Sequence, residues 1–167
     1  MLLTKDVIRD ELKQYQKVFK FYSSEKISLP KPRLKSAISE SLVAHLIQDK
    51  MILNALQISE VKFSASGGDL EIALNEGNRK VEVKSSAKSA FQYFGNKDLD
   101  ADYLIWVHFG EMLEKSDLGE IEVLIIEQKE LKEKIEELPQ SKKVSLKKIK
   151  TVFNGRSEIK IININQI

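Results

Sequence analysis

Two acids and a lysine stand close together in the stretch SGGDLEIALNEGNRKVEVKSS, residues 66–86: Asp69, Glu82 and Lys84. Carboxylates are hard oxygen donors of the kind Mg2+ takes, and an ammonium beside them can steady an anion or a nucleophile. Whether the three meet depends on how the stretch folds. Read as strands, it places Leu70, Ile72 and Leu74 on one face of a first strand, and Val81 and Val83 on one face of a second. The other face then carries Asp69 and Glu71 on one strand and Lys80, Glu82 and Lys84 on the next. Asn75-Glu76-Gly77-Asn78 reads as the turn, with Gly77 free to take positive φ. An even loop keeps leucines and valines on one face and an odd loop separates them, so an even loop is expected. Asp69 and Glu82 then lie opposite or diagonally across neighbouring strands, directly opposed Cβ atoms being roughly 5 Å apart. At that separation they can share one metal ion.

The chemistry such a group serves is metal-assisted hydrolysis. Asp69 and Glu82 would hold Mg2+, which keeps several waters and uses few protein carboxylates, and the backbone carbonyl of Val83 would supply a further ligand. A bound ion polarises a phosphoryl oxygen and lowers the pKa of its water. Lys84 would hold or activate that nucleophile and offset charge building on the phosphate. Gly67 and Gly68 have no Cβ, so a nucleic-acid backbone could approach closely. The bland alternative is a solvated sheet face on which Glu82 pairs with Lys80 or Lys84, contributing about 0–1 kcal/mol. Against it stand a strand rich in β-formers, a lysine sharing the acid's face, and a Gly-Gly-Asp one hairpin's length upstream. Glu71 is a rival auxiliary ligand, with a salt bridge to Lys80 as the simpler expectation.

The rest of the chain must position these groups. Its 167 residues suit one well-cored domain, 1–167, and 42% apolar with 31% charged residues reads as globular. No run approaches the ~20 apolar residues of a membrane span. The opening MLLTKDVIRDEL becomes charged too soon for a secretory signal. No cysteine is present, which excludes disulfides and thiolate metal sites and fits a cytoplasmic location. The net charge of +2 announces no nucleic-acid partner, but its distribution is uneven. Residues 120–137 hold seven glutamates against three lysines, and residues 142–160 hold six lysines and Arg156 against Glu158. A basic stretch of this kind is either a solvated surface or a phosphate-contacting edge.

Periodicity predicts a helix over 5–21 capped by Thr4, with Val7, Ile8, Leu12, Tyr15, Val18 and Phe19 inward. Pro30 and Pro32 mark a connector. A second helix is expected over 35–52, with Ile38, Leu42, Leu46 and Ile47 inward and Glu40 on its first turns. A strand over 61–65 precedes the hairpin. Residues 86–97 read as a polar segment, a short helix or loop, with Phe91, Tyr93 and Phe94 inserted. The near-continuous apolar runs 103–109 and 121–126 are strands covered on both faces. A charged helix over 127–138 stops at Pro139, Asn154-Gly155-Arg156 forms a turn, and a last strand covers 159–164. The expected class is therefore α/β, a mixed sheet flanked by helices.

G-G-D-x12-E-V-K-S resembles the active-site motif of the PD-(D/E)XK nuclease superfamily, with Gly68 in place of the motif's proline. The resemblance covers about 35–109. The helix over 5–21 and a basic C-terminal extension, 139–167, lie outside it. It implies an αβββαβ core like that of restriction endonucleases, with 35–52 as first helix, and Asp69, Glu82 and Lys84 cleaving phosphodiesters with Mg2+, for which Mn2+ is expected to substitute. Many members place a further glutamate on that helix, reaching the metal directly or through water. Glu40 matches that place, and Glu11 is a weaker rival.

The stretch FQYFGNKDLDADYLIWVHFG, 91–110, is similar to small type II restriction endonucleases. That likeness implies double-strand cleavage at a short palindromic DNA site by a homodimer, without a small-molecule cofactor and away from membranes. Base contacts are expected first from Ser85, Ser86, Lys88, Gln92, Asn96 and Lys97, which follow the catalytic strand, glutamine and asparagine being able to pair adenine bidentately. Lys142, Lys143, Lys147, Lys148 and Arg156 form a second candidate surface. A junction-resolving nuclease with the same core is the close rival, and a non-catalytic DNA-binding module the rival from another class. His45, His108 and Trp106 read as structural, and Asp100 and Asp102 as turn or cap residues.

Overall fold

The computed structural model describes residues 1–28, 33–65, 69–88, 91–94, 98, 100–134 and 143–167. It is a mixed α/β fold, as the patterning requires. Helices α1 (Lys5–Ser24) and α2 (Ser36–Gln48) precede the strands β1 (Ile58–Phe63), β2 (Leu70–Leu74) and β3 (Gly77–Ser86). After them come the short β4 (Phe91–Tyr93), β5 (Tyr103–His108) and β6 (Glu120–Glu127). Helix α3 (Gln128–Lys134), β7 (Lys143–Ser145), α4 (Leu146–Val152) and β8 (Glu158–Asn163) complete the chain. Six strands form one sheet in the order β1-β2-β3-β5-β6-β8, and β4 pairs with β7 in a second, two-stranded one. Neighbours in the large sheet are antiparallel except β3 and β5, which run parallel.

The apolar runs explain the layering. Ile105 and Val107 of β5, with Val123 and Ile125 of β6, enter a core shared with α1, α2 and the alternating residues Leu70, Ile72, Val81 and Val83. Leu104 and Trp106, with Leu124 and Ile126, enter a second core on the other face, closed by Phe94, Leu131 of α3, Val144 of β7 and Ile149 of α4. A strand buried on both faces has no use for alternation, which is why these two read as continuous.

Helix α2 lies between sheet and α1 with Ile38, Leu42, Leu46 and Ile47 buried as expected. It ends at Gln48, short of the expected 52. Lys50 and Leu53 beyond it take positive φ (57° and 50°), which breaks the helical path. The Thr4 hydroxyl caps α1 by accepting from Val7 N–H. On α1, Ile8, Leu12 and Phe19 are buried, whereas Val7 and Val18 are exposed, because this helix packs on the 3-10 turn Gly110–Glu114 as well as on α2. Buried Gln16 makes that docking specific, donating from Nε2 to the carbonyls of Met112 (2.9 Å) and Asp117 (3.0 Å).

One expectation is corrected. Within 86–97 the described residues hold a strand, β4, and no helix, so the crossover joining the parallel pair β3 and β5 carries no α-helix among the described residues. The described part of the basic extension is folded into the large sheet and the second core. It supplies β7, α4 and β8, and its Val144, Leu146, Ile149 and Phe153 are core. Pro30, Pro32 and Pro139 lie outside the described residues.

Candidate active site

The hairpin that carries the acids closes with a two-residue turn, Asn75-Glu76, since Leu74 pairs with Gly77. Gly77 takes φ +120°, and Asn78 is already in the strand rather than in the turn. The loop is even, as expected, so Leu70 faces Val81 and the charged residues share the opposite face. One step beyond that pair, Asp69 comes level with Glu82. Asp69 is locked there: its N–H donates to Val81 O (3.0 Å) and its Oδ2 accepts from Val83 N–H (2.8 Å).

Lys84 lies between two acids. Its Nζ is 2.7 Å from Glu82 Oε1 and 2.9 Å from Asp98 Oδ1. The Glu82 and Asp98 side chains are only 3% and 2% exposed, and that of Lys84 14%. This is a buried ion cluster, not the solvated pair of the bland alternative, and burial decides its energetics. Burial pushes the Glu82 carboxyl above its usual range; the hydrogen bond and charge of Lys84 pull it back, and the Asp69 charge pushes it up again. For Lys84, burial disfavours the ammonium, but the hydrogen bonds and charges of Glu82 and Asp98 prevail and raise its pKa, so it stays a cation.

Asp98 escaped sequence reasoning. It lies in the polar crossover, in the run DLDAD, whose two later acids, Asp100 and Asp102, read as turn or cap residues. What carries it to Lys84 is packing: Phe94 sits against Trp106 with ring centroids 6.0 Å apart, and Trp106 is the cross-strand neighbour of Lys84. The crossover is thereby folded down onto the sheet over β3.

Glu40, on α2, is close enough to Asp69 to feel its charge. Burial raises its carboxyl pKa first, Asp69 adds to the rise, and the Ser36 hydroxyl opposes it. Glu11 is engaged instead with Lys35 (3.7 Å). Glu71 pairs with Lys62 of β1 (3.2 Å) and accepts from Asn78.

The DNA-contact candidates divide. Ser86 is buried: its hydroxyl accepts from Trp106 Nε1 (2.8 Å) and meets His108 Nδ1 (2.9 Å), so it serves the second core. Gln92 donates to the carbonyl of Ser85, tying β4 to β3. Lys88 is exposed and pairs with Glu114 (3.0 Å) and Glu111 (3.8 Å). Arg156 is held by Glu133 (2.8 Å) and Glu130 (3.2 Å), and Lys150 by Glu122 (2.6 Å). Two cations of the basic stretch, Arg156 and Lys150, are thus paired with acids of the stretch 120–137. Lys147 and Lys148 of α4 are exposed. Lys143 pairs through its backbone with Tyr93. Lys142, Asn96, Lys97, Gly67 and Gly68 lie outside the described residues.

His45 Nε2 meets Leu3 O (2.8 Å), and Asp102 bridges β3 to β5 by accepting from Lys80 N–H (2.8 Å), both structural. A concavity of about 580 Å3 lies not over Glu82 but beyond the end of β5, lined by His108, Glu122, Lys147 and Lys150 among others.

The donor chemistry suits a hard divalent cation. Asp69 and Glu82 supply oxygens from facing strands, and with Asp98 they make three carboxylates against one ammonium, that of Lys84, which itself contacts Glu82 and Asp98. Among the described residues no three such donors are already drawn tight enough to hold an ion, so the fit rests on the Asp69–Glu82 pair with Glu40 nearby. Fold and cluster together define a mixed α/β protein with a buried, acid-rich centre on the face of a β-hairpin. Comparison with protein-family models, curated proteins and solved structures finds no match.

Proposed function

We propose that this protein is a Mg2+-dependent endonuclease of the PD-(D/E)XK type, working in the cytoplasm as a homodimer and cutting both strands of duplex DNA at a short palindromic site. The observation that carries the reading is the Asp69–Glu82–Lys84 cluster, in which carboxylates on facing strands outnumber the one cation beside them on the charged face of a hairpin. A structural ion pair needs one acid for one base. A surplus of acid is what a divalent ion would offset.

Asp69 and Glu82 would hold the ion, with the Val83 carbonyl and Glu40 as further oxygens. When bound, it supplies Lewis-acid polarisation of the phosphodiester and a more acidic water. The chain's own residues do the rest. Lys84, kept charged by two acids, faces the oxygen on which negative charge develops. With Glu82 engaged in holding the ion, Asp98 would keep the Lys84 ammonium in place through its 2.9 Å contact. The rigid Asp69 carboxylate, tied to Val83 N–H, holds its donor direction before substrate arrives.

The test is cleavage of a long unmethylated DNA with Mg2+, beside Glu82→Ala and an EDTA control. Discrete bands lost in both controls are expected. Intact linear DNA would remove the restriction reading, and a four-way junction left uncut as well would remove the nuclease.

A further inference from the structure

The two edges of the large sheet are built differently. β1 is guarded in the ways that keep an edge from pairing: a register break between Ile58 and Glu60, and the charges Glu60 and Lys62. β8, at the other edge, carries a similar charged pair, Glu158 and Lys160, but its register against β6 is unbroken. Its sequence EIKIIN is regular, and Ile159 and Ile161 are 45% and 60% exposed. Among the exposed large apolar residues they are the two that sit on the large sheet. Beyond β8 no further strand pairs among the described residues. Its outward N–H and C=O groups are a template for another strand.

We propose that β8 pairs antiparallel with β8 of a second copy of this chain, joining two six-stranded sheets into one. Geometry and charge select the register. A twofold axis normal to the sheet keeps each face on its own side, so only residues of one face can oppose each other. Glu158, Lys160 and Ile162 share one face, and Ile159 and Ile161 the other, opposite Leu124 and Glu122 of β6. An axis through Lys160 would set lysine against lysine. An axis through Ile161 would set Lys160 against Ile162. An axis through Ile159 sets Ile159 against its own copy and each Glu158 against the partner copy's Lys160, so both charges are matched twice. Glu158 and Lys160 already lie 2.8 Å apart within the strand and need only turn outward to bridge the seam. On the opposite face Ile159 then covers its own copy, and Ile161 lies across from Ser157 of the second copy.

The pairing does not require the nuclease reading, and it goes further than a bare expectation of dimers by naming the seam. Both Asp69–Glu82 faces would lie on the same side of the joined sheet.

The test is sedimentation equilibrium of the whole chain, with cleavage followed separately. Wild type is expected to dimerise, and Glu158→Lys or Lys160→Glu alone sets like charges opposite at two symmetry-related places. Each single change should raise the dimer Kd by roughly tenfold or more. The double exchange, Glu158→Lys with Lys160→Glu, restores both matches and should restore the dimer. All these side chains are at the surface, and circular dichroism will check that the variants fold. A wild type that stays monomeric overturns the proposal. So does a dimer indifferent to the single changes, or one that the double exchange fails to rescue, since each outcome points to another partner or seam.

Discussion

Replacing Lys84 by methionine separates the buried-cluster account from the surface-pair one. The ammonium lies 2.7 Å from Glu82 and 2.9 Å from Asp98, and neither acid is more than 3% exposed. Water cannot take its place, so the change leaves two carboxylates facing each other in a dry site. Breaking a buried pair by removing one partner costs about 3–5 kcal/mol, against about 0–1 for an exposed pair. A domain of ordinary stability, about 5–15 kcal/mol, survives that loss and can be measured. The pH dependence has a definite sign. Glu82 already titrates above its reference of 4.5 because of burial, and without Lys84 it moves higher. A group with a raised folded-state pKa binds its proton more tightly in the folded protein. Stability therefore falls as pH rises through that value and returns on acidification toward 4.5. Urea unfolding of wild type and Lys84→Met at about pH 7 and about pH 5 reads both effects. A loss below ~1 kcal/mol at neutral pH, or one that grows with acid, would refute the reasoning.

Glu82→Gln and Asp69→Asn keep shape and most hydrogen bonds but remove metal-binding charge. Cleavage should fall by about 10²–10³-fold or more for both; Asp69→Asn should change unfolding free energy by under ~1 kcal/mol, whereas Glu82→Gln also takes one acid from buried Lys84 and should cost more than that, checked by single-turnover cleavage beside urea melts. Asp98→Asn should lower the cleavage rate at saturating DNA and leave DNA binding without metal, followed by fluorescence anisotropy, unchanged. Ser86→Ala strips an acceptor from buried Trp106 Nε1 and a partner from His108, and thermal unfolding should show a loss of about 1–3 kcal/mol. Burial lowers the His108 pKa below 6.5, with Lys150 adding to the fall and Glu122 opposing it. The unfolded chain then takes the proton more readily, so this contribution to stability is present above 6.5 and lost as pH falls below it. His108→Gln should flatten the stability profile on the acid side of neutrality, and an unchanged slope would show that other groups set it.

The local chain determined what local chemistry can. Alternation of Leu70, Ile72, Val81 and Val83 settled the hairpin faces, and the even loop brought Asp69 level with Glu82. The apolar runs of β5 and β6 announced burial on both sides. These features depend on period and turn length, which neighbours in sequence control. The tertiary structure alone decided three things. It brought Asp98 onto Lys84, because Phe94 and Trp106 pack the crossover against the sheet. It turned Ser86 inward, because β5 placed Trp106 and His108 beside it. It paired part of the basic stretch with the acidic one, Arg156 with Glu130 and Glu133 and Lys150 with Glu122. In each case the partners lie far enough apart along the chain that no local pattern links them, and the contact forms only once two cores have closed on opposite faces of one sheet.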